Sequence, residues 1–322
     1  MEDFFFVAVS TRNNLRLCRE HSLAGFPRTQ SGLWSFTEIR KGDFISFLYG
    51  ARAYDLYTVV EKEAILDDTT GYPPGWEPPR TSTRKLRADF PYRLTLRPER
   101  IFEESLARLE FRYIAENLLQ RGGYRRSHFQ ADRTTLQAVS QMGGRAMGAP
   151  PGLTLPSHAS FVPHFVRGGK PTVPGSFAFR EVILQTLIRW YLSDTTRCTS
   201  LLAALGLNSG SGVLEALGEK AIPEGLIDLL LKDASPAGRS KEFVIEVKRK
   251  KATRANLAQL EDYLTILGPN CDGGVLISEP TQRPIQSRIV NLKLAKFWFD
   301  TPNTTQPMPA DELLAALRLA PV

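Results

Sequence analysis

The 322-residue sequence is poor in cysteine, methionine and histidine, with three, four and four residues respectively. Cys18, Cys198 and Cys271 lie far apart and are odd in number. They fit neither a zinc spacing nor a disulfide framework, which points to a reducing cytoplasm. No apolar run approaches the roughly 20 residues of a membrane-spanning helix, so no membrane role is expected. The N-terminal MEDFFFVAVS lacks the basic segment that opens a secretory signal. Neither an internal repeat nor a heptad is present. An acidic surplus is missing too: 41 Lys and Arg stand against 34 Asp and Glu, a net charge of +7. That balance suits an anionic partner, with nucleic acid a candidate, although the excess is modest for this length. Hydrophobic content of 42% and charged content of 23% are ordinary globular usage. The length allows two domains.

Short β-type runs lead the first hundred residues: FFFVAV (4–9), FISFLY (44–49), DLYTVV (55–60) and YRLTLR (92–97). Phe90, Tyr92, Leu94 and Leu96 alternate with Pro91, Arg93, Thr95 and Arg97, which predicts one buried and one wet face. Helical spacing follows at 103–120 and at 132–141. Residues 142–176 are rich in Gly and Pro without a sustained period, and read as a linker or ordered joint. Beyond it, helical patterns cover 179–192, 199–206, 212–220 and 254–267. Strand patterns cover 225–233, 242–251, 273–278 and 293–299. The expected division is therefore a first domain at 1–141, the joint at 142–176 and a second domain at 177–322. Helices interleaved with strands predict an α+β or α/β two-domain chain.

The stretch EFVIEVKRKK (242–251) is strand-like yet carries Glu246 and Lys248 two residues apart, hence on one face. Asp228 is likewise an acid inside an apolar strand, GLIDLLL. A hairpin of the two strands would gather Asp228, Glu246 and Lys248 at one sheet end. Paired carboxylates make a hard oxygen site suited to Mg2+ or Mn2+. Such an ion polarises a phosphate oxygen and lowers the pKa of a bound water, and an ammonium beside it can stabilise developing negative charge. That chemistry suits phosphodiester hydrolysis. On an exposed strand face the same triplet is a plain surface pair. Gln259 and Tyr263, four residues apart, share a helix face. Glu181 opens the leading helix. Arg249, Lys250, Lys251 and Arg254 add positive charge nearby, either as a solvated strand end or as a phosphate clamp.

This arrangement resembles the PD-(D/E)xK nuclease superfamily over roughly 178–300. Ile-Asp in LID (Asp228) stands for its first acid, EVK (Glu246, Lys248) for its E-x-K, and QLEDY (259–263) for the Q-x-x-x-Y helix motif of the RecB-like branch. Glu181 matches the frequent glutamate of its leading helix, whereas no proline precedes Asp228. The resemblance implies a four-stranded mixed sheet flanked by helices, restriction-endonuclease-like, with a divalent metal at Asp228 and Glu246. The catalytic set would be Asp228, Glu246, Lys248, Gln259 and Glu181.

The N-terminal half resembles the PUA-like group that contains EVE and YTH domains. The residues carrying this are GLWSFTEIRKGDFISFLYG (32–50), YTVVEKEA (57–64) and FPYRLTL (90–96). The resemblance implies a small β-barrel with helices and an aromatic pocket for a modified or flipped base. Carried over, Trp34 would be the stacking wall, standing in a loop before a strand, with Phe36 and Tyr49 beside it. Tyr54 and Trp76 are further aromatics near loops, and core packing is the alternative for each. Together the halves describe a modification-dependent restriction endonuclease acting on double-stranded DNA, as a homodimer if both strands are cut. Two other readings stand: a restriction enzyme reading unmodified sequence in the grooves, and a nucleic-acid-binding protein whose nuclease-like fold is structural.

Overall fold

The computed structural model describes residues 2–50, 52–78, 88–106, 127–146, 152–210, 212–222, 225–235, 240–280 and 287–322. The chain divides into two units. Unit 1 is Met1–Pro163 with Val173–Gly175, and unit 2 is His164–Thr172 with Ser176–Val322. The segment 142–176 is shared out between them. Its Ser160–Phe161 strand pairs Ala64–Ile65 in unit 1. Its His164–Val166 and Ser176–Ala178 strands form a small sheet with Met308–Pro309 in unit 2.

Unit 1 begins with β1 (Phe4–Ala8), α1 (Arg12–His21), β2 (Leu23–Phe26), α2 (Gln30–Glu38), β3 (Phe44–Tyr49), β4 (Arg52–Ile65) and β5 (Tyr92–Ile101). It continues with β6 (His128–Ala131), α3 (Arg133–Ser140), β7 (Gly144–Arg145) and β8 (Ser160–Phe161). The main order is β2-β5-β4-β3-β1-β6. The end strands β2 and β6 are not paired with each other among the described residues, so the expected small barrel is seen here as an open order. Phe4, Phe5 and Phe6 are all buried, since β1 lies inside the sheet between β3 and β6. Two of the elements run against the strand-rich reading of this half. The hydroxyl of Thr11 caps α1 by accepting the Asn14 N–H at 3.0 Å, and Thr29 caps α2 in the same way through Gly32. Arg93, expected on a wet face, is 3% exposed; its guanidinium donates to the carbonyls of Phe90 and Pro73. Most of the helix expected at 103–120 lies outside the described residues.

Unit 2 runs β9 (His164–Val166), β10 (Ser176–Ala178), α4 (Glu181–Leu192), α5 (Thr195–Ala204), β11 (Leu214–Ile222), β12 (Gly225–Asp233) and β13 (Glu242–Lys251). Then come α6 (Arg254–Leu267), β14 (Gly273–Glu279), β15 (Leu292–Phe299), β16 (Met308–Pro309), α7 (Ala310–Ala316) and β17 (Leu317–Pro321). The principal sheet has six strands, ordered β11-β12-β13-β14-β15-β17, where four were expected. β13, β14 and β15 are mutually parallel and the outer pairings are antiparallel. The helix expected at 212–220 is strand β11. Its LEALGEK is rich in helix formers, but pairing along β12 and burial of Leu214, Ala216 and Leu217 override that preference. A reciprocal Thr253–Asn256 capping box starts α6. Gly274 keeps β14 close beneath that helix: a Cβ there would lie 3.1 Å from Leu264.

The pairing of β13 positions the site. Its first half pairs β12 from Glu242 to Ile245. Its second half continues only along β14, through Lys248. The sheet thus forks after Ile245, and the fork leaves β13 backbone donors to be satisfied by side chains.

Candidate active site

Asp228 and Glu246 follow directly on the last β12–β13 pair, Leu229 opposite Ile245. Where the ladder ends, the Asp228 carboxylate replaces it, accepting the Val247 N–H at 2.8 Å. On the other side of β12 the ladder to β11 also skips one step, between Gly218–Leu229 and Lys220–Ile227. The residue in that gap, Glu219, has φ of 41°, a left-handed conformation uncommon for a non-glycine residue. Asp228 therefore sits where regular pairing fails on both flanks. Glu219 had no sequence signal, because strain is a property of the fold.

Lys248 Nζ lies 2.6 Å from Glu246 Oε1, 3.8 Å from Asp228 Oδ2 and 3.8 Å from Glu181 Oε1. The second Glu181 oxygen accepts the Arg249 N–H at 3.0 Å, another donor of the forked strand. Glu181 is the first residue of α4, where a carboxylate also complements the helix dipole. The other Glu246 oxygen, Oε2, is buried with no hydrogen-bond partner among the described residues. Burial pushes the Asp228 carboxyl up to about 7, reinforced by Glu246 and partly offset by Lys248 and the Val247 N–H. Burial raises Glu246 as well, against the pull of Lys248. Burial acts against the Lys248 ammonium, but Asp228, Glu246 and Glu181 outweigh it and hold its pKa above the usual lysine value. The cluster is one cation facing three acids, with proton affinity to spare.

Gln259 Nε2 donates to Tyr263 Oη at 2.6 Å, and Tyr263 Oη donates to the Leu226 carbonyl at 3.2 Å. This relay ties α6 to β12 two residues before Asp228. Arg249 is anchored, its Nη1 on the Phe179 carbonyl at 3.3 Å. Lys250, Lys251 and Arg254 are exposed. Among the described residues no group of three His, Cys, Asp or Glu side chains forms a metal cage. A two-carboxylate site is the form in which Mg2+ commonly binds, with water and substrate phosphate completing its shell. The unpartnered Glu246 oxygen fits such an ion.

In unit 1 three of the five aromatics expected to line a base pocket are buried. Trp34 is in helix α2, not in a loop, and is buried with its ring 4.7 Å from that of His128. Phe36 is buried against Tyr92, and Trp76 is buried against Phe90 and over Gly25, where a Cβ would collide with its ring. These three pack a core. Tyr49 and Tyr54 are half-buried. Behind Trp34, His128 Nε2 meets Glu38 Oε2 at 2.8 Å and His128 Nδ1 meets Ser35 Oγ at 2.7 Å; Ser35 also bonds Ser127.

No helix among the described residues is long and apolar enough to cross a membrane. No family model matches the chain, and no curated protein matches it significantly. One solved structure, described as the crystal structure of the MmI1 YTH domain, is similar to part of it. That likeness covers 44% of this chain and 93% of the other, at 11% identity and a TM-score of 0.29. At that score it carries no argument about the site, which stands on the residues above.

Proposed function

We propose that unit 2 is a divalent-metal-dependent phosphodiesterase acting on double-stranded DNA, an endonuclease of restriction type. The observation that carries this is the convergence of Asp228, Glu246 and Glu181 on the Lys248 ammonium where the β12–β13 ladder ends, with one buried Glu246 oxygen left for a further partner. Asp228 and Glu246 would hold Mg2+ or Mn2+, which supplies charge to a phosphate oxygen and acidity to a bound water. Lys248 keeps its proton at neutral pH, so it is suited to hydrogen-bond the scissile phosphate or orient the attacking water. Asp228 ties β12 to β13 through the Val247 amide, and Glu181 ties α4 to β13 through the Arg249 amide. Lys250, Lys251 and Arg254 are placed to meet neighbouring phosphates.

Unit 1 is proposed as the nucleic-acid reader, with a modified base as its preferred target. With Trp34, Phe36 and Trp76 in the core, the base-reading role passes to Tyr49 and Tyr54. Cutting both strands with one site per chain calls for a pair of chains. The test is incubation of plasmids from methylating and non-methylating hosts with Mg2+, with Mn2+ and with EDTA. Cutting is expected only with a divalent ion, and preferentially on modified DNA. Cutting in EDTA, or none with either ion on either plasmid, overturns the nuclease reading. Equal cutting of both plasmids selects the reader of unmodified sequence.

A further inference from the structure

Unit 1 carries a cleft of about 1030 Å³ between α1 and the β3–β4 region, lined by Arg12, Arg16, Arg19, Tyr49 and Tyr54 among others. The three arginines are four and three residues apart, so they share one face of α1. They differ in their ties. Arg12 makes no hydrogen bond or ion pair among the described residues. Arg16 meets Glu20, also at the cleft, at 2.5 Å in an exposed pair. Arg19 is held by Asp55, Nε to Oδ2 at 2.7 Å and Nη2 to Oδ1 at 3.4 Å.

Asp55 itself is unusual. It is buried and has φ of 52°, in the left-handed region. Its carboxylate also accepts the Tyr57 hydroxyl and the Phe102 N–H. A strained, buried acid is thus committed to fixing a guanidinium at the surface, 5.9 Å over the Tyr54 ring. Exposed helix arginines are usually solvated and loose. A preset one beside a half-exposed tyrosine has the form of a recognition element.

We infer that this cleft takes a single-stranded or extruded segment of nucleic acid, with phosphates on Arg12 and Arg16 and a base against Tyr54 and Tyr49. The proposal rests on the reading of unit 1 as a nucleic-acid reader and names its surface. Among the described residues Arg12 has no acid partner and Arg16 only an exposed one that can swing away, so this face can take an anion, and two tyrosines call for a flat apolar partner. A nucleotide unit presents both. A phosphate arriving at Arg16 takes the place of Glu20. Arg19 stays with Asp55 and frames the ring. Duplex DNA offers phosphates but keeps its bases stacked, so it should bind less well here than a single strand.

The experiment measures binding of labelled DNA and RNA single strands and of duplex DNA to the full chain in EDTA, across a salt series, together with melting temperature. For single strands, R12A/R16A should weaken binding and reduce the salt slope by about 1.4, at ~0.7 for each phosphate no longer neutralised. Tyr54→Leu should cost roughly tenfold to a hundredfold on single strands and less on duplex, with melting temperature unchanged. The DNA and RNA arms identify which strand is taken. Unaltered affinity and salt slope in R12A/R16A, or a Tyr54→Leu loss equal on all nucleic acids, overturns the cleft. Absence of binding by the unaltered chain overturns the reading of unit 1 on which it rests. Because no metal is present, failure of the nuclease reading would appear only in the cleavage assay.

Discussion

Two clusters in this chain look alike on paper. In unit 1 a glutamate, a histidine and a serine are linked and buried: Glu38, His128 and Ser35. In unit 2 two acids and a lysine are linked and mostly buried: Asp228, Glu246 and Lys248. The first has no buried side-chain polar atom without a partner, whereas the second leaves Glu246 Oε2 without one among the described residues. The first is closed over, Ser35 being 0% exposed, while the Lys248 side chain keeps 21% of its surface open. The two clusters share active-site residue types but differ in satisfaction and access, and that difference favours the second as the proposed site.

The largest test of this contrast is chemical. Glu246→Gln keeps the shape and removes the charge, and should abolish plasmid cleavage in Mg2+. Lys248→Met should cost on the order of 10²–10³ in rate, and saturating metal should not restore it. Glu38→Ala, by contrast, should leave the cleavage rate of the folded protein unchanged. A gel assay of the three variants at matched folded concentration reads all of these, and normal cutting by E246Q would place the two clusters in the same class.

Stability should invert the order. Glu38→Ala strands His128 in the core and should cost about 1–3 kcal/mol, the penalty of an unpaired buried group, read by urea denaturation. E246Q in metal-free buffer should be neutral or stabilising, as expected where function holds a site under strain. A loss in E246Q as large as that in Glu38→Ala would mean that Glu246 is structural.

The third test is pH. Asp228 has a folded pKa raised to about 7, above the roughly 3.9 of an unfolded aspartate. Between these values the folded state binds more protons, so stability of the metal-free protein falls as pH rises from about 4 to about 7. Asp228→Asn should flatten that slope. Denaturation midpoints at pH 5 and pH 8 for both proteins check it, and an equal slope in the variant would remove Asp228 as its source.

The last test concerns the relay from α6, where the expected effect on cleavage is the smallest. A Cβ at Gly225 would lie 2.7 Å from Tyr263 Oη. Gly225→Ala should cost about 1–3 kcal/mol through overpacking and slow cleavage modestly by moving β12. Tyr263→Phe removes the atom in collision, so the double variant should be less destabilised than the sum of the singles. Strict additivity in the melting data would show that the two residues do not meet.

The clustering of charge in unit 2 was legible in sequence because charge inside an apolar strand is a local anomaly: Asp228 in GLIDLLL, and Glu246 and Lys248 in EFVIEVK. The relay was legible because Gln259 and Tyr263 are four apart on a helix. Trp34 was not. Its loop-like GLWSF is capped into a helix by Thr29 and buried against His128, which is 94 residues away in sequence. β11 was misread because its composition favours a helix and only its partner strand makes it extended. Local chemistry is written locally, but burial depends on contacts made across the chain.

The fork after Ile245 matters to anyone altering this protein. Specificity of strand pairing is set by register, and a shift of one residue reverses every side chain between faces. Extending the β12–β13 ladder by two residues would give the Val247 amide a backbone partner, displace the Asp228 carboxylate from it and close the opening between the strands. All three charged side chains would still be encoded. The proposed catalyst would be lost by better pairing alone, so a design that lengthens this hairpin for stability works against it.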